Sequence, residues 1–81
     1  MSVMNNPFTN YINVKFAEPV TGKVAFKLTD VTGRTLAVSE LNGSSQSIFR
    51  FDFANQSITS GIYILTAEVN GKKYTASVMK Q

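Results

Sequence analysis

Ser60-Gly61-Ile62-Tyr63-Ile64-Leu65, the dipeptide Asn70-Gly71 and the closing stretch Lys72-Lys73-Tyr74-Thr75-Ala76-Ser77-Val78-Met79-Lys80-Gln81 decide the fold. Asn-Gly is the strongest two-residue hairpin signal, because both positions of a type I′ turn need positive φ and these residues tolerate it best. Counting outward from that turn sets Val69 opposite Lys72, Ala67 opposite Tyr74, Leu65 opposite Ala76 and Tyr63 opposite Val78. One face of this hairpin is apolar, and the other carries Thr66, Thr75 and Ser77. Glu68 meets Lys73 on the polar face, an expected exposed ion pair worth at most about 1 kcal/mol.

Strict alternation of apolar and polar residues continues upstream, which is the pattern of strands with one face buried. Ile12, Val14 and Phe16 point one way, and Tyr11, Asn13 and Lys15 the other. Glu18-Pro19-Val20-Thr21-Gly22 breaks the run, since Pro19 has no N–H for a ladder and Gly22 turns easily. Val24, Phe26 and Leu28 then alternate with Lys23, Ala25 and Lys27 up to an expected turn, Asp30-Val31-Thr32-Gly33, with Gly33 in the left-handed conformation. If Asp30 faces Arg34, Leu28 lies opposite Leu36 and Phe26 opposite Val38, apolar against apolar. Asn42-Gly43-Ser44-Ser45-Gln46 reads as a loop. Beyond it Phe49, Phe51 and Phe53 share a face, read as core rather than as a base-stacking platform, because basic residues do not interleave with them.

These segments make six antiparallel strands, seven if the stretch 55–58 pairs briefly, with no helical pattern. Short strands joined by turns predict an all-β fold, an immunoglobulin-like antiparallel β-sandwich of six to seven strands, with a small open barrel as the alternative.

Eighty-one residues make one domain, with a stability on the order of 4 to 12 kcal/mol and little room for a large enclosed active site. The hydrophobic fraction of 43% against 16% charged residues fits a packed domain rather than a disordered tail. The chain has no cysteine and no histidine, so it carries neither a disulfide framework nor the commonest general base and metal ligand. A formal charge of +3 suits an anionic partner, but its carriers are scattered along the chain as on a solvated surface. The segment Met1-Ser2-Val3-Met4-Asn5-Asn6 lacks the basic-then-apolar pattern of a signal or transit peptide. Residues 1–5 read as a linker or cloning remnant and 6–81 as the domain.

Glu18, Asp30, Glu40, Asp52 and Glu68 lie singly on different turns and strands, so no carboxylate pair for hydrolysis arises. Asp30 reads as a turn residue whose side chain accepts a turn amide. The glycines follow strands into turns and open no helix, unlike a phosphate loop. Serines and threonines have no histidine to activate them. No catalytic residue, no metal and no cofactor is expected, so enzyme is the least supported class.

Read in order, Asn6-Pro7-Phe8-Thr9, Asp30-Val31-Thr32-Gly33-Arg34, Ser60-Gly61-Ile62-Tyr63 and Lys80 at the end resemble the C-terminal sorting domain of type IX secretion substrates in Bacteroidetes. The resemblance covers the chain from Asn6 to Gln81. It implies an immunoglobulin-like module at the end of a larger cargo that reaches the periplasm by its own signal peptide. The outer-membrane translocon and a shuttle barrel would recognise the module, and a sortase-like transpeptidase would cut upstream of it and attach the cargo to anionic lipopolysaccharide. The cargo would finish at the outer membrane, on the cell surface or in the medium. By the same resemblance Gly61 and Tyr63 match the glycine-aromatic motif, Gly71 with Lys72 and Lys73 the glycine-basic turn, and Val78, Met79 and Lys80 the apolar-basic tail, with Gln81 at the tip. Gly61, Tyr63, Lys72 and Lys73 each have a plain fold role beside recognition: a strand start, core filling, a soluble hairpin. An exposed terminal strand can also recruit a partner by edge pairing, including a second copy in a weak homodimer.

The alternative is a passive immunoglobulin-like accessory, adhesion or carbohydrate-binding module of an extracellular protein. With no tryptophan, only Tyr11 and Tyr74 could offer rings to a sugar, Tyr74 being expected in the core. A single copy ending at the stop codon favours the signal, and tandem or internal copies favour the spacer. Neither nucleic acid binding nor direct membrane insertion is expected.

Overall fold

The computed structural model describes residues 1–53 and 56–81 and is all-β. Strands β1 (Ser2–Val3), β2 (Tyr11–Asp30), β3 (Thr35–Asp52), β4 (Gly61–Val69) and β5 (Lys72–Lys80) form one five-stranded antiparallel sheet. β2 is its spine, pairing with β3 along one edge and with β1 and β4 along the other. Among the five strands β5 pairs with β4 and lies at the end of the sheet.

Six expected segments therefore appear as four strands, because β2 and β3 each run continuously through two of them. The break expected at residues 18–22 is one of pairing, not of strand: the β2 ladder to β3 lapses between Lys15 and Val20. Across that interruption the sheet curls, and rings from its two parts meet. Phe26, from beyond the interruption, stacks on Phe51 with centroids 5.6 Å apart and lies tilted against Phe49 at 6.3 Å. Phe49, Phe51 and Phe53 are buried with Ile12, Val14 and Leu28, as a core needs. For the stretch 55–58, residue 55 lies outside the described residues and 56–58 are not in a strand.

Two local expectations are corrected. Residues 42–46 are not a loop but part of β3, with Gly43 opposite Gly22 and Thr21 opposite Ser44. Ser45, at φ 57°, is the extra residue of a bulge there, so the Gly/Ser composition serves a kinked strand. At the β2–β3 turn, Asp30 does face Arg34, its N–H donating to the Arg34 carbonyl at 3.0 Å. A bulge then intervenes: Thr29 faces Thr35 but Leu28 faces Ala37, and Phe26 faces Ser39 instead of Val38. Burial explains the slip. Ala37 fits beneath the buried Leu28, whereas Val38 turns outward at 69% exposure.

The final hairpin keeps every pair read from the Asn70-Gly71 turn, with Asn70 at φ 50° and Gly71 at φ 80°. Glu68 and Lys73 are opposite each other, yet among the described residues no ion pair joins them. Tyr74 is half-buried against Phe16, centroids 5.5 Å apart, and Tyr11 is half-buried with the Arg50 guanidinium 3.9 Å above its ring.

Candidate recognition surface

The hairpin splits the nine recognition residues read from sequence into two groups. Pairing of Gly61 with Lys80 and of Tyr63 with Val78 gathers Gly61, Tyr63, Val78, Met79, Lys80 and Gln81 at one end. Gly71, Lys72 and Lys73 sit at the other, roughly 26 Å away along β5 at about 3.3 Å per residue. No single contact of small size covers both.

Within the first group, burial separates residues that shape from residues that can touch. Tyr63 and Val78 are buried in the core. The Tyr63 hydroxyl donates to the Thr59 carbonyl at 2.6 Å and lies 3.1 Å from the Thr59 hydroxyl, tying the strand to the segment that leads into it. Met79 is 49% exposed and Gln81 is exposed. Opposite Met79 stands Ile62, 53% exposed, so two large apolar side chains share the solvent face of a cross-strand pair. With Asn6, Pro7 and Ser77 they border a shallow cavity of about 280 Å³. Sequence reasoning missed Ile62, although the turn register alone puts it beside Met79 on the wet face.

The edge of β5 is also partly occupied. The Phe8 N–H donates to the Met79 carbonyl at 2.8 Å, and the Gln81 N–H donates to the Phe8 carbonyl at 2.9 Å, a short parallel bridge. Asn6 extends it with its side chain: Oδ1 accepts the Met79 N–H at 2.9 Å, and Nδ2 donates to the Ser77 carbonyl at 3.4 Å. Asn5 does the same for β2, donating to the Tyr11 carbonyl and accepting the Asn13 N–H. The two asparagines stitch one segment to both β2 and β5.

At the second group, Lys72 and Lys73 are exposed beside the Asn70-Gly71 turn. Lys73 also borders a groove of about 500 Å³ on the outer face of the sheet, with Lys27, Val38, Glu40 and Glu68. Lys23 pairs with Glu40 at 3.6 Å, so charge there is balanced rather than uniformly basic. At the β2–β3 turn the Asp30 carboxylate accepts Thr32 N–H, the Thr32 hydroxyl and Arg34 N–H at 2.6 to 3.0 Å, and its Oδ2 meets Arg34 Nε at 3.2 Å. The Thr32 hydroxyl, then the Arg34 amide, hold its pKa below the ordinary 3.8. Asp30 acts there as a turn clamp, the part read for it from sequence. Among the described residues no group of three or more acidic side chains gathers as a metal site would require.

Compared with known families, residues 2–81 match the model described as the secretion system C-terminal sorting domain. No curated protein matches the chain.

Proposed function

The chain belongs to the family of secretion system C-terminal sorting domains, and from that premise we propose that it is the address, rather than the active part, of a larger exported protein. The family marks a type IX sorting tail, recognised by the secretion machinery and exported across the outer membrane to the cell surface or medium. The match across residues 2–81 carries this reading, since it takes in nearly every residue of the fold.

The finer parts follow as one scheme. The curled sheet works as an immunoglobulin-like sandwich, folded in the periplasm during transit and doing no chemistry of its own. The translocon or the shuttle barrel grips the end of β5 through Met79, Lys80 and Gln81, with Gly61 permitting the strand to start beside them. Tyr63 and Val78 hold that end in shape from beneath. Lys72 and Lys73, with Gly71 setting their turn, form a separate contact for an acidic surface. A sortase-like transpeptidase cuts ahead of residues 1–5, which join the sheet through β1, and the edge of β3 supports a weak homodimer.

The test is export of a reporter bearing a signal peptide and fused ahead of residues 1–81, in a host with a working type IX system. The reporter is expected on the surface or in the medium, and in the periplasm when the translocon is deleted. Retention in the periplasm of the competent host would sink the proposal.

A further inference from the structure

β1 is short, but its direction carries information. Ser2 faces Lys15 and Val3 faces Val14, so the same register puts Met1 opposite Phe16 and the residue ahead of Met1 opposite Ala17. Met4 N–H donates to the Asn13 carbonyl at 2.8 Å, which fixes the odd-numbered residues of β2, Asn13, Lys15 and Ala17, as those whose backbone groups face this side. Beyond Lys15 that side of β2 has no ladder partner among the described residues until Val24 meets Val69 of β4.

The gap opens into a groove of about 590 Å³, walled by Phe16, Pro19 and Val20 on one side and by Asn70, Lys72 and Tyr74 on the other. Met1 lies in its lining, half-buried and packed against the core. Glu18 is two residues from the buried Phe16 and shares its side of the strand by alternation, yet it is exposed, as an uncovered position would be.

The geometry points to the polypeptide that precedes Met1 in a longer protein as the occupant of this groove, where its last two or three residues lengthen β1 along residues 17–19 of β2. The inference rests on the reading that a cargo is joined ahead of this domain. A docked linker replaces solvent at Ala17 with a ladder partner. Pairing ends near Pro19, which has no N–H to offer. The cargo junction thus leaves the domain beside the Asn70-Gly71 tip, at the opposite end of β5 from Gln81, and a protease would meet backbone that is partly held as strand.

Amide hydrogen exchange on the purified full-length protein tests this. The native protein is compared with a variant whose three residues ahead of Met1 are all proline, with the Lys15 amide as internal reference. The Ala17 amide is expected to exchange at least tenfold more slowly in the native protein, with Lys15 alike in both. Equal Ala17 rates would overturn the inference, and so would protection that fades on dilution, which would seat a second copy in the groove. Export, scored separately, decides the sorting reading: an exported protein with an unprotected Ala17 leaves that reading standing and removes this one.

Discussion

The Asn6 side chain accepts the Met79 N–H at 2.9 Å, across 73 positions of sequence, so the start of the domain holds its end. Its Nδ2 reaches the Ser77 carbonyl on the same edge. An amide side chain presents an N–H donor and a carbonyl acceptor side by side, the kinds of group that a neighbouring strand would offer. Replacing it by alanine should remove both bonds while leaving the Phe8 bridge. The expected cost is about 1 kcal/mol, which makes local opening of the β5 end about fivefold more frequent. Exchange of the Met79 amide measures it, and unchanged protection would mean that the Phe8 bridge alone holds the edge.

Tyr63 and Met79 lie at the same end of the hairpin but should fail differently when changed. Val78→Ala, beneath the surface, should cost roughly 2 kcal/mol of stability through lost burial. Tyr63→Phe keeps the ring and loses the bonds to Thr59, for about 1 kcal/mol. Met79→Ala touches a half-exposed side chain and should change stability by less than about 0.5 kcal/mol. Its effect should appear in export instead, as reporter left behind at an unchanged Tm. If Met79→Ala exports normally while Val78→Ala does not, the end of β5 matters only for folding.

Gly43 faces Gly22 across the kinked part of β3, and the Gly43 position leaves no room for a side chain. A Cβ there would sit 2.5 Å from the Val20 carbonyl oxygen and 2.9 Å from the tip of the Phe49 ring. Backbone and a buried ring cannot both move aside, so Gly43→Ala should cost about 2 kcal/mol. In a domain this small that lowers Tm by roughly 10 °C. Gly33→Ala offers a contrast: nothing lies within 4 Å of its Cβ, and the cost is only the strain of φ 94°. Thermal unfolding followed by circular dichroism distinguishes the two mechanisms.

What the sequence made legible was local. The Asn70-Gly71 turn set the whole register of β4 and β5 because both turn residues need a rare backbone conformation. Phe49, Phe51 and Phe53 declared a buried face by alternation, and Asp30 declared its turn by chemistry. The β2–β3 slip was not legible, since hydrophobic matching favoured Leu28 against Leu36 and Phe26 against Val38. The bulge gives Leu28 the smaller Ala37 instead, a matter of three-dimensional space. Gly and Ser at 42–46 read as a loop because composition cannot tell a bend within a strand from a break between strands. The hold of Asn6 on β5 and the Ile62–Met79 patch depend on edges that meet only after folding, although the second could have been read from the register. The division of nine candidate residues into two distant groups also follows from strand length alone.

Asp30 gives the fold a pH dependence of known sign. Its carboxylate accepts bonds from Thr32 and Arg34, and these favour the ionised form, lowering its pKa in the folded chain relative to the unfolded one. A depressed folded pKa contributes stability that is fully present above the unfolded value, near 3.9, and is lost as pH falls through the folded value. Wild type and Asp30→Ala should therefore differ most in urea midpoint near pH 7, with wild type the more stable. The gap should be constant down to about pH 5 and narrow below about pH 4. Asp30→Asn tests the cause, because it keeps an acceptor for the Thr32 and Arg34 amides but has no charge to titrate. Its difference from Asp30→Ala should be the same at neutral and acid pH. A wild-type advantage that persisted unchanged to pH 2 would mean that neutral hydrogen bonds, not the carboxylate charge, hold the turn.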